Sequence, residues 1–237
     1  MGAIFRRELK AMLTSPRGYV AIAAYLAVFA VFFVLFHMYF GFAGIEAALS
    51  YYAIAMGVAL PIVTVPLFCN NRGGRELLRS LPLSGRDLFF GKYLAGLTVV
   101  LVMTVVVAVM PPILGGFVGE GMKMNYLSSY AGVLVFFLLG HTLLCLNLWI
   151  SSVLKKTLVA WVAVYLVLIA LIVLSLTASL MPSVLSNVFE CVSLFGVCGT
   201  FEAGLFDLRA VVLYVTASVL FFLLAFLSEN DKWNREA

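Results

Sequence analysis

Few side chains in this sequence could do chemistry. There are two histidines, His37 and His141, and four cysteines, Cys69, Cys145, Cys191 and Cys198. His141 falls in the charge-free run GHTLLCLN, with Asn147 one or two helical turns further on. A histidine there could relay a proton or ligate a metal or haem. Without a carboxylate or further cofactor signal beside it, the expected state is a neutral ring bonded to a neighbouring helix. The cysteines form no CxxC pair and no metal-ligand spacing, so they read as small buried hydrophobes. Cys191 and Cys198 lie seven residues apart. That is about 10 Å along a helix, beyond disulfide reach unless the helix breaks between them. The sequence has no GxSxG, HExxH or GxxxxGK[ST]. Neither membrane proteolysis nor ATP hydrolysis is therefore expected of the chain itself, and no bound cofactor or metal.

The elements that must hold these residues follow from composition. Of 237 residues, 64% are apolar and only 11% charged, and the mean hydropathy is +1.13. A soluble domain carries about 25% charged residues, so this chain cannot coat a water-facing surface. An ordinary cytosolic enzyme, a disordered chain and a small disulfide scaffold are excluded; an all-α integral membrane protein is expected. Apolar, charge-free stretches run over 18–41, 51–69, 93–118, 126–153, 158–181 and 209–228. The first is too long for a signal-peptide core and reads as an uncleaved anchor. Lys155 and Lys156 divide the long stretch from 126 to 181, because two lysines at mid-membrane would cost roughly 5–7 kcal/mol. Six spans in one membrane domain, 1–237, are expected.

Charge sets the orientation. Arg6, Arg7, Lys10 and Arg17 precede the first span; Arg72, Arg75, Arg79, Arg86 and Lys92 follow the second; Lys155, Lys156, Lys232 and Arg235 complete thirteen of the fifteen positive residues on one side. The other side holds Lys123 and Arg209 beside Glu46, Glu120, Glu190, Glu202 and Asp207. Positive residues stay cytoplasmic, so both termini are expected in the cytoplasm of a multi-pass protein of the cell (inner or plasma) membrane. The net charge of +4 is explained by this bias and calls for no nucleic-acid partner.

Three further segments stand out. Residues 3–14 form an interfacial helix with Ile4, Phe5, Leu9, Met12 and Leu13 on one face and Arg6, Arg7 and Lys10 on the other, near anionic lipid; Ser15-Pro16 should end it. Between spans two and three, Glu76–Leu81 places Leu77, Leu78 and Leu81 on one face of a short cytoplasmic helix, 72–82, bounded by Gly73-Gly74 and Pro82. Ser84 with Asp87 reads as a capping box opening the next helix. This connection is longer than the 2–8 residues that join helices, and a cytoplasmic partner is expected on it. The outer segment 182–208, with Glu190 and Glu202, reads as a re-entrant or interfacial helix pair. Pro61 and Pro66 in span two and Pro111-Pro112 in span three should kink or interrupt their helices.

The run PIVTVPLFCNNRGGRELLRSLPLSGRDLFFGKYLAG, Pro61 to Gly96, resembles the permease subunits of ABC-2 type ABC transporters, and within them the gliding-motility subfamily. The opening FRRELKAMLTSPRGYV and the stretch GTFEAGLFDLR are similar to further elements of that family, in family order. Asn70 and Asn71 stand where the family usually has two acids, and Pro66 where it usually has arginine. The resemblance implies a transmembrane subunit pairing with a second copy or a paralogue and driven by separate cytoplasmic ATPase subunits that hold ATP and magnesium. It implies that 72–82 is the coupling helix that docks on the ATPase, Arg72 included: Leu77, Leu78 and Leu81 anchor in a groove of the ATPase while Arg75, Glu76 and Arg79 set the register. Export is the expected direction. The alternatives are a non-transporting scaffold or assembly subunit of the same family, an ion-coupled carrier or channel, which the charge-free spans disfavour, and a membrane enzyme using His141.

Overall fold

The computed structural model describes residues 2–42, 44–45, 48–69, 85–117, 125–154, 156–178, 194–195 and 208–236. Among these the chain is helical and contains no strand. The helices are α1 (Gly2–Thr14), α2 (Pro16–Phe33, continued by a π-helical stretch Val34–Tyr39), α3 (Leu49–Phe68), α4 (Gly85–Ala108), α5 (Met110–Phe117), α6 (Tyr126–Val153), α7 (Thr157–Ala178) and α8 (Leu208–Glu236). Six helical segments are long and apolar enough to cross a membrane: Pro16–Tyr39, Leu49–Leu67, Gly85–Phe117, Tyr126–Val153, Thr157–Thr177 and Leu208–Asp231. Backbone groups in hydrocarbon must bond internally, which is why such stretches fold as helices.

The chain turns sharply between α1 and α2. The Ser15 hydroxyl donates to the Met12 carbonyl at 3.0 Å and accepts from the Gly18 amide at 3.1 Å. Pro16 follows at the first helical position, where its missing N–H costs nothing. A Cβ on Gly18 would overlap the Met12 carbonyl oxygen, so the corner requires glycine. At the far end of α2 the π stretch closes with Phe40 N–H to Leu35 O and Phe42 N–H to Phe36 O, both 3.1 Å. Gly41, at φ 72°, supplies the left-handed residue that ends it.

α6 is the centre of the bundle: it is the most buried of the six spans, and α2 and α7 are the most exposed. It packs most on α8 and α3. Lipid tails are as apolar as leucine, so contact is driven by close van der Waals fit and interhelical hydrogen bonds. Small residues make that fit. A Cβ on Gly140 would come within 2.9 Å of both Met56 and Val100, and one on Gly96 within 2.7 Å of Leu144. Thr142 donates to the Tyr214 carbonyl of α8 at 3.1 Å, and Tyr25 of α2 to the Met103 carbonyl of α4 at 3.2 Å.

The prolines behave in two ways. At Pro111-Pro112 the third span does break, with Val109 in a turn between α4 and α5. Two successive residues there lack the N–H that would reach one turn back. Pro61 and Pro66, by contrast, lie inside an uninterrupted α3, so of the kink or interruption expected there the interruption does not occur. Neighbouring side chains bond this stretch of α3: Trp161 Nε1 donates to the Pro61 carbonyl at 3.3 Å and Tyr165 Oη to the Val58 carbonyl at 3.0 Å.

The third span also starts earlier than hydropathy marks. α4 begins at Gly85 rather than near 93 and carries Arg86, Asp87 and Lys92. The expectation that Lys92 sits in a loop is corrected: it is buried, 1% exposed, two turns inside α4. α8 likewise runs on to Glu236, past the apolar stretch that ends near 228. Of the outer segment 182–208, the described part is the buried turn Leu194–Phe195 and Leu208 at the head of α8. The Phe195 ring lies against Gly57 of α3, and the Leu194 carbonyl accepts from Tyr214 Oη at 2.5 Å. Glu190, Glu202, Cys191 and Cys198 lie outside the described residues.

Candidate functional site

The connection expected to bind a partner, with Arg72, Arg75, Glu76, Leu77, Leu78, Arg79 and Leu81, lies outside the described residues, as do Asn70, Asn71 and Ser84. The structure describes the two helix ends from which it springs. α3 ends at Cys69, whose thiol lies 3.4 Å from the Ser151 carbonyl and 3.6 Å from the Leu154 carbonyl, where α6 stops. Thr157, the first residue of α7, donates to the Cys69 carbonyl at 3.2 Å. One turn deeper, Asn147 of α6 donates through Nδ2 to Thr64 Oγ1 at 3.3 Å, and Thr64 donates onward to the Leu60 carbonyl at 2.9 Å. The end of α3 is therefore clamped to the α6–α7 corner. Arg17 extends the clamp, its guanidinium 5.7 Å from the centre of the Trp161 ring.

The other end is held by different helices. Phe89 in the first turns of α4 meets Phe222 and Phe226 of α8 edge-on, at 5.4 and 5.3 Å between ring centres. Two residues further, Gly91 leaves room for Ile4 of α1, whose side chain would lie 2.7 Å from an added Cβ. α1 packs most on α4. Its buried stripe is Ile4, Glu8 and Met12; Phe5 and Leu9 are half-buried, and Leu13 is exposed. Arg6, Arg7 and Lys10, the expected lipid-facing cations, are exposed on its outer side. α1 is thus a helix docked on the bundle through one face, with a positive face left outward.

Residues 70–84 thus join the end of α3, fixed at the α6–α7 corner, to the start of α4, packed on α1 and α8; further along, α4 and α8 both pack on α6 as well. Hydrogen bonds across membrane helices average about 0.6 kcal/mol, with a maximum near 1.7. The first mount is a set of several such bonds, and the second is made of aromatic and van der Waals contacts.

The two histidines sit in separate clusters. His37, in the π stretch, donates from Nδ1 to the Phe42 carbonyl at 2.9 Å, and Tyr52 Oη lies 3.5 Å from its Nε2. His141 Nε2 lies 2.6 Å from Tyr93 Oη of α4 and 3.8 Å from Cys145 Sγ. His141 is thus a ring bonded to a neighbouring helix, as the residues around it led one to expect. Cys69 and Cys145 are both buried. Among the described residues no three of His, Cys, Asp and Glu gather into a metal-binding group.

Sequence reasoning passed over Gly91, Gly96 and Gly140, which decide how closely the helices approach. A glycine inside an apolar run was the available signal, since nothing else explains it there. Neither a protein-family model nor a curated protein matches this chain.

Proposed function

We propose that the chain is the membrane-spanning permease subunit of an ABC-2 type ATP-binding cassette transporter, an exporter working as a pair and driven by separate cytoplasmic ATPase subunits. The observation that carries this reading is the mounting of residues 70–84: one end is fastened to the α6–α7 corner, the other to α1 and α8. A push by a protein docked between these two ends would shift the end of α3 against the start of α4. The leucines and charges between Arg72 and Leu81 supply the docking face, and the charge bias puts that face in the cytoplasm. The exposed Arg6, Arg7 and Lys10 of α1 add an anionic-lipid contact beside it.

The test is substitution within this connection. Leu78→Asp, or charge reversal at Glu76 or Arg79, leaves membrane insertion intact and abolishes recruitment of the ATPase in a pull-down. Unchanged recruitment by all three variants contradicts the reading. Recruitment by the unaltered chain without ATP-driven substrate movement in vesicles would assign it to a scaffold instead.

A further inference from the structure

His141 lies at the end of an opening in an otherwise buried helix. Leu127, Tyr130 and Leu134 of α6 are 83, 48 and 48% exposed. Phe137, Leu138 and His141 continue the same strip half-buried, and from Thr142 to Leu148 every residue is buried. The strip is therefore open along the N-terminal half of α6 and closes at His141. The closure is aromatic: Tyr93 of α4 and Phe222 of α8 meet edge-on at 4.9 Å. His141 stands 15 residues from the start of α6 and 12 from its end, about 22 and 18 Å, which is mid-membrane.

The ring's hydrogen bonding is one-sided. Tyr93 and Cys145 both address Nε2. A neutral imidazole accepting there carries its proton on Nδ1. Among the described residues Nδ1 has no partner, and it is not one of the enclosed polar atoms. A donor turned toward hydrocarbon without an acceptor costs free energy. What would satisfy it must be apolar enough to reside at this depth and must present an acceptor rather than a charge.

We propose that this strip is a binding site for a planar carbonyl compound with an apolar tail, the chemistry of membrane quinones, with a ring carbonyl accepting from His141 Nδ1–H. The near-parallel Phe137 and His141 rings, 20° apart, suit a flat partner, and the exposed Tyr130 and Leu134 suit a tail running toward the membrane surface. No electron transfer is involved. The site does not rest on the transport reading, since α4, α6 and α8 form it whatever the connection 70–84 binds.

The full chain, reconstituted in lipid nanodiscs with nitrogen-15 in its two histidines, tests this with decylubiquinone as the probe. The expected result is a saturable shift of the His141 Nδ1–H resonance, with the His37 signals unmoved. Decylbenzene, of similar shape without a carbonyl, should bind at least threefold more weakly. His141→Leu should weaken quinone binding about three- to tenfold, the worth of one neutral hydrogen bond, and His141→Gln, which restores a donor, should recover part of it. Equal binding of the two probes to the unaltered chain, or a His141 resonance indifferent to the quinone, overturns the proposal without recourse to any variant. So does a crosslink between Leu134→Cys side chains of two copies that the quinone does not displace, since the strip would then belong to a second chain.

Discussion

α6 and α7 are neighbours in sequence and both cross the bundle, yet α6 is the most buried span and α7 among the least. The more apolar of the two is the exposed one. α6 carries Ser129, Gly132, Gly140, Thr142, Cys145, Asn147, Ser151 and Ser152 on its buried surface, while α7 turns Val162, Leu166, Ile169 and Val173 outward. In water the greasier helix would be the core. In a bilayer, burial brings no hydrophobic gain, and the helix that can be approached closely and hydrogen-bonded becomes the centre.

The contrast can be broken at its extremes. Leu166→Lys puts a charge on the lipid face near the middle of α7 and should cost about 3–4 kcal/mol of insertion, read as loss of the inserted fraction in a glycosylation-mapping assay. On α6 the sensitive position is small rather than greasy. Gly140→Leu drives a side chain into Met56 and Val100 and should destabilise the bundle by about 1–3 kcal/mol, whereas Ala170→Leu, on the exposed side of α7, should leave unfolding in mixed micelles unchanged. Asn147→Leu makes α6 greasier and should still weaken it, by about 0.6 and at most 1.7 kcal/mol for the bond to Thr64. The mildest effect concerns reactivity. An amine reagent should modify Lys156, exposed at the α6–α7 corner, in the folded chain, and should reach the buried Lys92 only after denaturation.

Length and apolarity were legible because the bilayer sets them, so all six spans could be marked from hydropathy. The Ser15-Pro16 corner and the break at Pro111-Pro112 were legible because proline acts locally. Pro61 and Pro66 were legible only in part: a proline pattern allows a kink or an interruption, and α3 runs through both without interruption. Lys92 was misread. Hydropathy penalises a lysine wherever it stands, but here the fold encloses the whole side chain, Nζ included. The face of α1 was half legible: Ile4 and Met12 are buried as their spacing suggests, but Glu8 lies between them on that same face and Leu13 does not. The partner of His141 followed in kind from its setting; that it is Tyr93 required the fold.

The central claim, that a motor protein moves this bundle through residues 70–84, is tested most directly by isolating the chain from its native membrane at native abundance. The account predicts that a protein with a phosphate-binding loop co-purifies, that the preparation hydrolyses ATP, and that Leu78→Asp releases the companion while all six spans remain inserted. A chain that repeatedly isolates with no nucleotide-hydrolysing companion would contradict it.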